Sequence, residues 1–205
     1  MLAIYNQFDS SISDARTIIT MAHATDPSGA FLWHTAARTQ IVEGAFLKAF
    51  TSWESLLEAS FVDFLMGSPS AIGTLPTRYA SPLTKDHANK MIMGNLRYFP
   101  WAQPDAVKKV AKNFFPNGDP YETVLSSLQS DLIDMKTIRN ATAHVSSTTA
   151  PALDALSSRK LKTVVVGFTP SQLLLAVDPS STTGDTIVNY YFGQLQTAAH
   201  MITHM

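Results

Sequence analysis

Three side chains near the end of one helical pattern, Arg139, Asn140 and His144, have types and spacing suited to chemistry on a phosphate ester. They stand in the run R-N-A-T-A-H, just before the chain turns to Ser, Thr and Pro. Histidine titrates near neutrality and can take or give a proton. The planar fork of arginine can hold phosphate oxygens and stabilise the charge that builds in a transition state. Asparagine can orient either partner or the substrate. On a regular helix Asn140 and His144, at i and i+4, share a face, whereas Arg139 and His144, at i+5, stand about 140° apart. One chain can use both only through arginine's long reach or a helix that loosens near Ala143, which the following Ser and Thr hydroxyls favour. Two copies meeting about a two-fold axis would also bring them together. The sequence has no acidic cluster to hold magnesium, so the matching reaction is metal-independent. His144, as acid and base, would help an RNA 2′-hydroxyl attack its own 3′-phosphate, leaving a 2′,3′-cyclic phosphate; DNA would be inert. On spacing alone, cationic groups complementing the dipole at a helix C-terminus account for the same letters equally well.

The element that must carry these residues is a long helix expected from 119 to about 140. Asp119 reads as its N-cap, Pro120 as its first residue and Glu122 as a charge suited to its positive end. Val124, Leu125, Leu128, Leu132, Met135 and Ile138 repeat at three and four, so one stripe faces a core and leads directly to Arg139. A first helix is expected over 4–24, stopped by TDPSG, and a second, longer one over 34–66. The second carries Ile41, Phe46, Phe50, Trp53, Leu57, Phe61, Phe64 and Leu65 and is ended by Gly67 and Pro69. Its aromatics read as core rather than as stacking platforms. Proline-broken 68–119 holds two short helices, 83–95 and 104–114, the latter with Pro104 in its first turn. After the motif, 151–160 reads as a short helix, 162–177 as the place for a small β element (KTVVVGF), 178–185 as a loop and 186–203 as a closing helix. The expected fold is all-α: a helical bundle with two long antiparallel helices, extra short helices and that candidate β element.

Composition narrows the function classes. At 205 residues and 45% apolar content the chain can bury one core, so a single domain over 1–205 is expected, its core about 1–147 and a C-terminal extension 148–205. A formal net charge of −1 argues against nucleic-acid binding by bulk attraction, so any such contact must be local. There is no cysteine, which removes disulfides and thiolate metal sites. His200 and His204 share a helical i, i+4 spacing without a neighbouring carboxylate, and read as polar residues near a chain end rather than as a metal site. No cofactor or metal is expected. The first residues lack a basic region leading into an apolar run, and no stretch of eighteen apolar residues occurs, so no membrane partner and a cytoplasmic location are expected.

The R-N-x-x-x-H pattern of Arg139, Asn140 and His144 at the end of a late helix resembles the signature of the HEPN superfamily, all-helical RNases and RNA-binding domains of prokaryotic toxin and defence systems. FLKAFTSWESLLEASFVDFLMG, residues 46–67, is similar to the long second helix of the HEPN group named after RiboL-PSP, with its W-E pair and closing M-G. The resemblance covers about 40–145. It implies a helix bundle, commonly a homodimer, and metal-independent endoribonuclease activity of toxin–antitoxin or antiviral type. Arg139 and His144 match the catalytic pair and Asn140 the intervening polar position. It also implies RNA as a partner and an antitoxin or neighbouring-gene product as another. Some relatives only bind RNA or nucleotides, so a non-catalytic HEPN module is the alternative. Glu54, on the helix that would face the motif, is a candidate to orient His144 or pair with Arg139, or else an ordinary solvated edge. Lys108, Lys109 and Lys112 are candidates to guide RNA, or a solvated face.

Overall fold

The computed structural model describes residues 1–144 and 146–205, and it is all-helical. In order come α1 (Leu2–Ala22), α2 (Thr35–Met66), α3 (Lys85–Met93), α4 (Pro104–Phe114), α5 (Tyr121–Ser127), α6 (Gln129–Ala143), α7 (Thr149–Leu161), α8 (Pro170–Leu175) and α9 (Ile187–Thr203), with a 3₁₀ turn at Pro116–Gly118. The first two helices lie within two residues of their expected bounds. Gly67, with φ +87°, takes the left-handed conformation that closes α2.

Two expectations are corrected. The helix expected over 119–140 is divided at Leu128, whose φ of −113° and ψ of 11° leave the helical region between α5 and α6. The Asp119–Pro120 peptide is cis, and Asp119 caps from one position earlier than expected, its Oδ1 accepting from Thr123 N at 3.2 Å. The stripe survives the break, for Val124, Leu125, Leu128, Leu132, Met135 and Ile138 are all buried. The β element near 162–177 is absent among the described residues. Lys162 turns left-handed at φ 55°, and Val165 exchanges backbone hydrogen bonds with the Ser158 hydroxyl (3.0 and 3.2 Å) instead of with a strand. Val164, 89% exposed, has no sheet face to cover. From Pro170 the chain is helical, because Thr169 and Gln172 form a reciprocal capping box. Among the described residues an isolated bridge, Val177 with Thr186, flanks the 178–185 loop.

The chain divides into two compact units. The first comprises residues 1–9, 52–133 and 195–205. Phe61, fully buried, is its hub, with ring centroids 4.8 Å from Tyr121, 5.0 Å from Phe115 and 5.7 Å from Trp101. The Tyr121 hydroxyl shares a hydrogen bond with Ser60 Oγ at 3.0 Å, and burial pushes its pKa well up. Ala71 N donates to Thr203 O at 2.8 Å, tying the end of α9 to the chain after α2.

The second unit comprises residues 10–51 and 134–194. Phe46 and Phe50 stack at 6.2 Å within its part of α2, and Ser171 N, in the first turn of α8, donates to Glu43 Oε1 at 3.2 Å. Both units are built from stretches far apart in sequence.

Candidate active site

The last turns of α6 are anchored before they reach the motif. Met135, Ile138 and Ala141 are buried, and Asp134, only 3% exposed, clasps α7 and α9. Its carboxylate pairs with Arg159 Nη2, with Lys160 Nζ at 3.2 Å, and accepts from the Tyr191 hydroxyl at 3.4 Å. Lys160 also lies over the Tyr191 ring, 5.0 Å from its centroid. The clasp was missed in the sequence. Its one signal is an acid inside the buried register, between Leu132 and Met135.

Arg139 and Asn140 are half-buried at the end of this helix and His144 is exposed. The helix does not loosen at Ala143: His144 N still donates to Asn140 O at 3.0 Å, so regular geometry persists to the histidine. What answers the 140° offset is the arginine. Its Nη1 donates to Asn140 Oδ1 at 3.3 Å, which turns the guanidinium toward the side chain that shares a helix face with His144. The structure thus draws Arg139 and Asn140 together and places His144 one turn on.

Beyond His144, hydroxyls make the turn into α7. Thr149 Oγ1 donates to His144 O at 2.6 Å, and Ser146 Oγ accepts from Thr149 N at 3.2 Å in the manner of an N-cap. The carbonyl of the candidate acid/base residue is thereby held by the first residue of α7.

The remaining candidates are placed as follows. Glu54 is half-buried on α2 in the first unit. Of the three lysines of α4, Lys108 pairs with Asp105 at 3.2 Å and Lys112 with Glu122 at 3.1 Å, and Lys109 is exposed. His200 and His204 stack at 4.0 Å with Tyr5 edge-on to both. Among the described residues no three His, Asp or Glu side chains converge as metal ligands, and no helix is long and apolar enough to cross a membrane.

Chemically, the end of α6 offers an exposed imidazole, a guanidinium and an amide on adjoining positions, a set able to move a proton and to bind an anion. In comparisons with known proteins, no family model, no curated protein and no solved structure matches the chain.

Proposed function

We propose that the end of α6 is the active site of a metal-independent endoribonuclease of HEPN type. The observation that supports it most is the Arg139–Asn140 hydrogen bond beside the exposed His144, which gives one chain a phosphate-binding fork and an acid/base on adjoining positions. In the proposed step His144 takes the proton of the 2′-hydroxyl, the 2′-oxygen bonds to the adjacent phosphorus, and the bond to the 5′-oxygen of the next nucleotide breaks with a proton returned to it. Arg139 holds the non-bridging oxygens as charge builds on them, and Asn140 fixes the guanidinium. In a homodimer each copy carries its own complete set. Toxin or antiphage action, with an antitoxin or neighbouring-gene product as restraint, is the biological reading that goes with this chemistry.

The test is cleavage of a single-stranded RNA in EDTA by the full chain and by folded Arg139→Ala and His144→Ala variants. Each substitution should lower the rate at least about a hundredfold, the usual worth of an acid/base or a transition-state donor. RNA retained uncut by all three would favour the non-catalytic alternative. Growth arrest on expression, relieved by His144→Ala, is the cellular counterpart.

A further inference from the structure

Within the first unit, a cavity of about 340 Å³ lies between α2, α3 and the loop 94–103. The active-site reading leaves it unused. Its walls carry a carboxylate (Glu58), an amide (Asn89), a guanidinium (Arg97) and three aromatic rings (Tyr98, Phe99, Trp101). The volume falls in the range of pockets for compact small molecules, about 300–1,000 Å³.

The rings differ in how they are held. Phe99 and Trp101 pack edge-to-face at 4.6 Å, and Trp101 rests on Phe61 at 5.7 Å, so these two are braced by the core. Tyr98 is 75% exposed, a large ring at the cavity wall with its face uncovered. A second acid, Asp86, also lines the space but is occupied by Lys90 at 2.7 Å. Among the described residues neither Glu58 nor Arg97 takes part in an ion pair.

These groups constrain the ligand. A simple organic cation suits Glu58 and the rings but is repelled by Arg97; a simple anion has the opposite difficulty. A flat heterocycle with an N–H donor edge and an anionic tail satisfies all of them. Among nucleobases, guanine alone presents two adjacent N–H donors, N1–H and the N2 amino group, to the two oxygens of a carboxylate. Adenine presents an acceptor at N1. The Asn89 amide can donate to O6 or N7, Tyr98 supplies a stacking face, and Arg97 a partner for phosphate. We propose that this cavity binds a guanosine phosphate, through Glu58 at the base edge, Tyr98 on the base face and Arg97 on the phosphate. The proposal stands apart from the ribonuclease reading, since neither cleavage nor the α6 residues enter it.

The test is calorimetric titration of the full-length His144→Ala protein, so that no RNA can be consumed, with GMP, AMP and guanosine. GMP should bind about tenfold or more tightly than AMP, a preference that Glu58→Gln abolishes. Arg97→Gln should weaken GMP by about tenfold and leave guanosine unchanged, and Tyr98→Ala should weaken both. All three side chains are partly or largely exposed, and circular dichroism identifies any variant that fails to fold. A short RNA with one guanosine is the further arm, read by what Glu58→Gln removes: a larger loss than for GMP assigns the site to guanosine within a chain, a smaller one to the free nucleotide, and either upholds it. No binding of GMP at millimolar concentration, equal affinity for GMP and AMP, or indifference to Glu58→Gln and Arg97→Gln would overturn it.

Discussion

Replacing Asp134 with alanine perturbs the clasp that holds the end of α6. The change removes a carboxylate that is 3% exposed and leaves Lys160, its side chain 16% exposed, without its partner 3.2 Å away. Breaking a buried ion pair from one side costs about 3–5 kcal/mol. The Arg159 side chain is 58% exposed, so water screens its share to below about 1 kcal/mol. The Tyr191 hydroxyl, 3.4 Å from Oδ2, is at the long end of a hydrogen bond and adds little. The expected loss is therefore at the lower end of the range, about 3 kcal/mol, which in a chain of this length lowers Tm by roughly 6–12 °C. Urea unfolding followed by circular dichroism measures it. A double-mutant cycle should give a larger coupling between Asp134 and Lys160 than between Asp134 and Arg159, because only the first pair is shielded from solvent. Asp134→Ala within about 1 kcal/mol of wild type would refute the reasoning, since a buried acid with these partners cannot be that cheap to remove.

Three further outcomes are expected. Phe61→Ala should cost about 3–5 kcal/mol by chemical denaturation, because the ring is fully buried against Trp101, Phe115 and Tyr121; a loss below about 1 kcal/mol would deny it the role of hub. Asp26 accepts from the Ser28 hydroxyl at 2.6 Å and from Ala30 N at 3.0 Å, and these bonds hold its carboxyl below the usual carboxylate range. Its pKa is lower folded than unfolded, so its contribution is complete above the ordinary carboxylate value and is lost as pH falls through the depressed one. A carbon-detected NMR titration should find Asp26 titrating below the ordinary range, and an unshifted value would contradict the turn geometry. Because Arg139 is turned toward Asn140 of its own chain, an equimolar mixture of Arg139→Ala and His144→Ala proteins should regain no ribonuclease activity. Recovery to a substantial fraction of wild type would instead place the two residues of one site on different copies.

The sequence made the helices legible where periodicity and punctuation agreed. In α1 and α2 the apolar spacing and the stops at TDPSG and Gly67 fall within three residues of the observed ends. The division at Leu128 was hidden because Leu128 is itself apolar and buried, so the stripe runs across the break without a glycine or proline to mark it. The valines at 164–166 carried β propensity, but a strand needs a partner, and Val165 finds Ser158 instead. At the candidate site, the position of Arg139 and His144 near a helix end followed from the pattern. The direction of the guanidinium did not, because it is a choice among rotamers that spacing leaves open. Nor did the clasp, which joins Asp134 to residues 25 and 57 positions away. Long-range pairing of this kind leaves only a weak mark in a single sequence, here an acid in an apolar register.

The proposed ribonuclease step is tested most directly by the chemistry of the RNA ends it would leave. An RNA oligonucleotide incubated with the protein in excess EDTA should yield fragments ending in 2′,3′-cyclic phosphate. A 2′-deoxy substitution at the cut nucleotide should block that cut, and His144→Ala should leave the strand intact. Fragments that appear only when magnesium is added, or that carry a 5′-phosphate and a free 3′-hydroxyl, would contradict the account.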